Sequence, residues 1–127
     1  MTTLTVTHLG DGVYQDEHLA VDFERSAVQL DSRHMTLTRK EYELLSLMVA
    51  HAGEIIPRDV LLMQVWGYSR EIRTRTLDVH IRRLRKKLGR FGEQYIETIF
   101  GIGYRFQRYR EPRYFPVPAS NFLPATA

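Results

Sequence analysis

The sequence has no cysteine among its 127 residues, so disulfide bonds, thiolate metal sites and cysteine nucleophiles are excluded. Its five histidines, at positions 8, 18, 34, 51 and 80, include no pair with metal-ligand spacing, so no metal site is expected. No apolar run approaches the roughly 18 residues that a membrane-spanning helix needs. The start, MTTLTVTH, also lacks the basic and apolar segments of a signal sequence. We expect a soluble cytoplasmic protein with no cofactor and no contact with a membrane.

Patterns typical of enzymes are also lacking. The segment GIGY (101–104) has a G-x-G core, but it lies in an expected hairpin turn and not between a strand and a helix, so it predicts no phosphate loop. The spacing of Ser, His and Asp residues does not suggest a catalytic set of nucleophile, general base and orienting group. The carboxylates are scattered along the chain, and no pair of them suggests general acid–base catalysis. We therefore expect a protein that is not an enzyme and takes no small-molecule substrate.

Positive charge is concentrated in one part of this chain, whose length is that of a single domain. The formal net charge is only +3, but residues 70–90 hold nine Lys or Arg against Glu71 and Asp78, a local net charge of +7. The rest of the chain has a net charge of −4. A basic block on a mildly acidic body suggests one surface that faces a polyanion. The plainer alternative is a solvated helix face, but most of these cations lack an acidic partner four residues away.

The basic block contains an amphipathic helix, predicted over residues 73–88, RTRTLDVHIRRLRKKL. Its apolar residues fall at i, i+4, i+7 and i+11 and so share one stripe: Leu77, Ile81, Leu84 and Leu88. The opposite face carries Arg75, Thr76, Val79, Arg82, Arg83 and Lys86. A solvated face has no need of the threonine and the valine. We therefore expect this helix to rest on a protein core and to enter a DNA groove.

Short strands and two helices precede the basic helix. The strand pattern over residues 1–37 alternates apolar with polar residues, as in a small antiparallel meander: Leu4, Val6, Leu19, Val21, Phe23, Val28, Leu30, Met35 and Leu37. A capping box at Thr38 and Glu41 begins a helix for which Gly53 is the expected C′ residue. Pro57 is expected in the first turn of a second helix that stops at Gly67.

A hairpin and a tail follow the basic helix. Residues 95–107 are rich in β-prone side chains and have a turn at residues 101–103. Residues 111–127 hold four of the five prolines and predict an extended tail without regular structure. The order of strands, helix, helix, loop, helix and hairpin is that of a winged helix, an α+β fold with an N-terminal antiparallel sheet, three helices and a C-terminal β-hairpin wing.

Four blocks resemble the C-terminal effector domain of OmpR/PhoB-type response regulators. They are LTRKEYELL (37–45), RDVLLMQVWG (58–67), RTLDVHIRRLRKKL (75–88) and ETIFGIGYRF (97–106). The resemblance implies sequence-specific binding of double-stranded DNA and transcriptional control. It divides the chain into an N-terminal extension leading into the sheet (1–18), a DNA-binding domain (19–108) and a tail (109–127).

The resemblance also assigns DNA contacts. In the family the third helix lies in the major groove, which gives Arg83 a guanine contact, because a guanidinium can bond guanine O6 and N7 together. Val79 would meet a thymine methyl group. Phosphate contacts near the helix start are expected from Arg75, Thr76 and His80, and Arg82 and Lys86 complete the DNA-facing set.

Further contacts to the DNA backbone are expected outside the third helix. Similar proteins use the positions of Arg58, Trp66, Thr98 and Tyr104, and Arg105 and Arg108 are further cations available for phosphates. For Trp66 the alternative is plain core packing, and for Tyr104 it is a packed aromatic of the wing. Both alternatives stay open at this point.

Three features depart from the family or are left open by it. The wing position at which well-known relatives carry a minor-groove Arg is Phe100, which we expect to tuck against its own hairpin more readily than to wedge at a base step. The residues ahead of the match are too few for a receiver domain, so the chain is either a fragment or, as Met1 and the tail slightly favour, a freestanding module. The loop that touches RNA polymerase in the family corresponds to Tyr68, Ser69, Arg70 and Glu71, which here contact polymerase or serve only as a connector.

The leading hypothesis is thus a winged-helix transcription regulator that binds DNA as a tandem homodimer on direct repeats. The alternative is a winged-helix protein-interaction module that contacts RNA polymerase or another regulator and binds DNA weakly. RNA binding lacks support, because the basic helix shows no exposed aromatic residues for base stacking.

Overall fold

The N-terminal sheet has four antiparallel strands. A computed structural model of the chain describes residues 12–68 and 74–110. In it, β1 (Val13–Gln15), β2 (Leu19–Asp22), β3 (Ala27–Leu30) and β4 (Arg33–His34) pair in sequence order. Val21 lies opposite Tyr14 on β1 and Val28 on β3, so the alternating pattern turns these three buried side chains to one face. The sheet therefore has one face towards the core, as expected.

The edges of this sheet differ from the expected ones. The strand expected at Met35 and Leu37 is instead β4, at Arg33–His34, which follows a tight turn in which Asp31 and Ser32 both have positive φ. The strand β1 precedes Leu19, where we expected the domain to begin. The strand expected at Leu4 and Val6 and the tail at residues 111–127 lie outside the described residues.

The first helix, α1 (Arg39–Ala50), has the expected capping box. The Glu41 amide donates to the Thr38 hydroxyl at 3.2 Å, and the Thr38 amide donates to the Glu41 carboxylate at 2.9 Å. The expected C′ role of Gly53 is wrong, because the helix already ends at Ala50 with His51 as its C-cap. Gly53, with φ of 89°, instead donates its amide to the Phe106 carbonyl at 2.8 Å. It therefore leads the chain into the second sheet.

The second helix, α2 (Arg58–Trp66), begins directly after a strand that sequence reasoning missed. This strand, β5 (Ile55–Pro57), makes Pro57 the N-cap of α2 and not a residue of its first turn. The predicted stop at Gly67 is confirmed: its left-handed backbone closes α2, with its amide donating to the Met63 carbonyl at 2.8 Å.

The third helix, α3 (Thr76–Leu88), begins later than the Arg73 we expected and has Arg75 as its N-cap, and it ends at Gly89 as predicted. A 3₁₀ turn (Gly89–Phe91) and the short α4 (Gly92–Tyr95) follow, and neither was predicted. The hairpin is confirmed as β6 (Ile96–Ile99) and β7 (Gly103–Phe106), and β5 joins it in the order β5-β7-β6.

One hydrophobic core lies between the helices and the two sheets. It includes the apolar stripe predicted for α3, whose side chains have at most 1% of their surface exposed: Leu77, Ile81, Leu84 and Leu88. Burying each such side chain contributes about 1.5–3 kcal/mol, so the stripe fixes which face of α3 turns outward. None of the helices in the described ranges is long and apolar enough to cross a membrane.

Candidate nucleic-acid interface

The outward face of α3 is a stripe of exposed side chains, mostly cationic. Its members are spaced i, i+4, i+7, i+8 and i+11 from the N-cap and are Arg75, Val79, Arg82, Arg83 and Lys86. Within residues 12–68 and 74–110, no hydrogen bond or ion pair engages the four cations. Val79, at 38% exposure, is the apolar member of the stripe. This face is therefore open to an anionic partner, as the periodicity predicted.

Two other cations of α3 bond to other elements of the domain, the half-buried Arg85 and the more exposed Lys87. Arg85 donates to the Ile96 carbonyl, at 3.1 and 2.7 Å, and to the Thr98 hydroxyl at 2.7 Å. Lys87 donates to the Glu41 carboxylate at 2.6 Å. The expectation that most charges of the basic block lack a partner therefore fails for these two, whose partners come from β6 and α1 and not from α3 itself.

The first turn of α3 is fixed by a threonine that sequence reasoning missed. The Thr74 hydroxyl accepts a hydrogen bond from the Thr76 amide at 3.0 Å and lies 2.7 Å from the Thr76 hydroxyl. A threonine just before a helix is a recognised start signal, so the sequence offered this information. His80 bonds back to the Thr76 carbonyl at 2.9 Å.

Trp66 lies where α2 meets α3. Its half-buried ring packs against the core and meets the His80 ring edge-on, with 4.8 Å between centroids. This contact supports the packing role that the sequence left open. The pair sets how the end of α2 lies against the first turns of α3.

Asp78 joins α2, α3 and the wing. Its carboxylate accepts hydrogen bonds from the Arg58 guanidinium and, at 2.6 Å, from the Tyr104 hydroxyl. Burial, together with this hydrogen bond to Asp78, raises the pKa of Tyr104 to about 12. Two residues expected to reach phosphates are thus tied to one carboxylate. Sequence reasoning missed this role because α3 alone shows only an isolated acid among cations.

The wing cations are engaged within the domain. Arg105 bonds the Glu97 carboxylate at 3.0 and 2.8 Å. Arg108 donates to the Gln15 carbonyl at 3.1 Å and lies over the Tyr14 ring, 5.2 Å from its centroid. Cross-strand and inter-sheet partners thus engage both cations, and their contact with phosphates stays a prediction.

The expectation that Phe100 packs against its own hairpin is wrong. Its side chain does not tuck against the hairpin but is 90% exposed at the tip of the wing. Of the expected polymerase loop, only Tyr68 is described, and its half-buried side chain packs against the core. Ser69, Arg70 and Glu71 lie outside the described residues.

A helix-turn-helix whose second helix turns cations outward, followed by a β-hairpin, defines the winged-helix class of nucleic-acid-binding domains. Residues 32–106 match the family described as "Transcriptional regulatory protein, C terminal". The chain belongs to this family, and the predicted OmpR/PhoB-type winged helix is confirmed.

Three relatives illustrate the match. Transcriptional regulatory protein HprR of Escherichia coli (strain K12) is 47% identical over 89 residues, which span 69% of this chain and 40% of HprR. Response regulator DrrB, a Thermotoga maritima OmpR/PhoB homolog, has a TM-score of 0.69 at 31% identity, covering 76% of this chain and 45% of DrrB. The RstA DNA-binding domain of Klebsiella pneumoniae, solved in complex with RstA box, has a TM-score of 0.69 at 31% identity, covering 75% of this chain and 96% of that domain. The chain thus spans less than half of the length of HprR and DrrB.

Proposed function

We propose that this chain binds double-stranded DNA sequence-specifically and regulates transcription, with α3 in the major groove. The observation that carries this proposal is the outward face of α3. There, four cations without a partner among the described residues lie around an exposed valine, on a helix packed against the core. A family of transcription regulators, and not of enzymes, is consistent with it. The relative solved with its DNA box supports the same kind of partner.

Within the groove, Arg83 and Val79 read bases. The Arg83 guanidinium grips guanine O6 and N7, and Val79 contacts a thymine methyl group. The other members of the set bind phosphates and fix the register of α3: Arg75, Thr76, His80, Arg82 and Lys86. Base reading is thus concentrated in the middle of α3.

The residues around Asp78 support α3. Arg58 has five N–H donors, so it can bond Asp78 and still reach a phosphate. Tyr104 has a single O–H, which Asp78 accepts, so Tyr104 positions α3 and does not donate to DNA. Trp66 supports α3 in the same way through its contact with His80. Thr98 does so through the hydrogen bond that it accepts from Arg85.

We also propose that two copies of the chain bind side by side on direct repeats of DNA, as the resemblance to the OmpR/PhoB family implies. The segment Tyr68–Glu71 is the proposed contact with RNA polymerase. Both assignments rest on the family.

In vitro selection from a random duplex library tests the proposal. We expect enrichment of one motif, present as two directly repeated half-sites. The outward cations of α3 and Arg58 would neutralise about five phosphates, so log K should fall with log salt at a slope of roughly −4 to −5. Weak and equal binding to all sequences would contradict the proposal and favour a protein-interaction module.

A further inference from the structure

The tip of the wing presents an aromatic ring to solvent. Phe100 is 90% exposed, whereas every other aromatic side chain within residues 12–68 and 74–110 is buried or half-buried. Its neighbour in the turn, Ile102, is 49% exposed. An exposed Phe beside an exposed Ile is unfavourable in water, so this tip suits a partner that covers it.

The turn holds Phe100 in a fixed place. The Ile102 amide donates to the Ile99 carbonyl at 2.9 Å, and Gly101 takes the positive φ of 79° that closes the turn. The Arg58 amide donates to the Ile102 carbonyl at 3.0 Å, which ties the tip to the first turn of α2. Next to it, a Cβ on Gly103 would come 2.0 Å from the Ile56 carbonyl oxygen, so β7 lies directly against β5. A tip held this way can push a side chain into a partner.

The wing is also rigidly joined to α3. Arg85 bridges α3 to the Ile96 carbonyl and the Thr98 hydroxyl on β6. The residues from Thr98 to Gly103 include no carboxylate, and the nearest one along β6, Glu97, is paired with Arg105. The tip itself therefore carries no negative charge that would repel phosphates.

We propose that Phe100 is an apolar wedge that enters the DNA minor groove beside the site of α3 and partly unstacks one base step. Apolar side chains inserted from the minor groove open and kink base steps in this way. Pyrimidine–purine steps deform most readily, so Phe100 adds a preference for such a step where α3 makes no base contact. This inference rests on the proposed function.

The test uses the full chain and the duplex obtained by selection, with 2-aminopurine placed in turn at each step next to the α3 half-site. Wild-type binding should raise the 2-aminopurine fluorescence at one step. Phe100→Ala should weaken binding about tenfold, by loss of apolar contact, should abolish the fluorescence rise and should leave the salt slope unchanged. Phe100→Leu should keep most of the affinity and part of the fluorescence rise.

Two further variants sharpen the test. Phe100→Arg should make the salt slope steeper by about one phosphate contact without the fluorescence rise. Val13→Ala, which removes an apolar side chain of 48% exposure from the other sheet, should match wild type throughout. Specific binding with identical affinity and fluorescence for wild type and Phe100→Ala would overturn the wedge alone. A wild-type chain without any sequence preference would overturn the proposed function and the wedge with it.

Discussion

At the scale of single residues, neighbouring cations of α3 have different roles, since some face solvent and others bond to the rest of the domain. Arg83 points outward with no partner among the described residues, whereas Arg85, two positions on, donates to the Ile96 carbonyl and the Thr98 hydroxyl of β6. At about 100° per residue the two side chains lie on different sides of the helix. Charge counts along the sequence therefore overstate the number of cations that DNA can reach.

Substitutions of Arg83 separate base reading from charge. Arg83→Ala should cost about 1–3 kcal/mol of discrimination at one base pair. Arg83→Lys should keep the salt slope but lose the same discrimination, because an ammonium cannot form two parallel bonds to guanine. Binding to the selected duplex and its single-base variants, measured at several salt concentrations, checks both. Arg33→Ala, an exposed arginine on β4, is the control, and equal discrimination by all variants would contradict the role of Arg83.

At the scale of elements, α1 and α3 are joined by one ion pair. Glu41 is only 2% exposed and accepts from both the Thr38 amide and Lys87. Burial alone would raise the pKa of Glu41, but the hydrogen bonds from Lys87 and Thr38 hold it below its ordinary value. The folded state therefore favours the carboxylate, and its contribution to stability is lost as the pH falls.

Replacing Glu41 with Gln tests this ion pair. Glu41→Gln should lower the free energy of unfolding by about 1–3 kcal/mol at neutral pH. The difference in unfolding free energy between wild type and Glu41→Gln should be largest above pH 4.5, the ordinary pKa of a glutamate. It should narrow as the pH falls below that value. Urea unfolding at pH 7 and pH 3.5 measures both effects. The control Glu43→Gln removes a more exposed pair with Arg39 and Lys40 and should cost less than about 1 kcal/mol; a gap that did not depend on pH would rule out this origin.

Local signals explain which elements could be predicted from the sequence. The capping box of α1, the apolar stripe of α3 and the stop at Gly67 each depend on residues within about three turns of one helix. Strand β5 could not be found this way, because three residues show no clear alternation and its partner β7 lies beyond α3. The outward face of α3 followed from periodicity, whereas the roles of Asp78 and Arg85 depend on contacts between distant elements. The exposure of Phe100 depends on the turn of the wing, where no described residue covers its ring.

At the scale of the whole molecule, a carboxylate on the first sheet connects the two ends of the domain. Asp16, just after β1, accepts hydrogen bonds from the Tyr14 hydroxyl and, at 2.7 Å, from the Tyr95 hydroxyl. Burial and the bond to Asp16 raise the pKa of both tyrosines. The Tyr95 ring stacks on Phe106, with 5.5 Å between centroids. The N-terminal sheet and the wing strand are thereby held in one body.

Asp16→Ala should destabilise the packing of the N-terminal sheet against the wing strand without changing the proposed DNA surface. Two buried hydroxyls lose their acceptor, so the free energy of unfolding should fall by about 2–4 kcal/mol. DNA specificity, measured at a temperature where the variant is folded, should be unchanged. Asp22→Ala, whose ion pair with Arg25 lies on the surface, should lower the free energy of unfolding much less than Asp16→Ala does. A change of base preference in Asp16→Ala would show that the first sheet takes part in recognition.

The pairing of β5 with β7 has a consequence for local unfolding. Since β5 comes before α2 and β7 comes after α3, this pairing closes a loop of chain that contains both helices. Neither helix can leave the core far without opening that loop, so the helices and the hairpin form one cooperative unit. Amide protons of α3 and of the β5 and β7 strands should then exchange with solvent through a shared opening. Damage to the wing strand would therefore shorten the lifetime of the recognition helix, even though no residue of α3 had been changed.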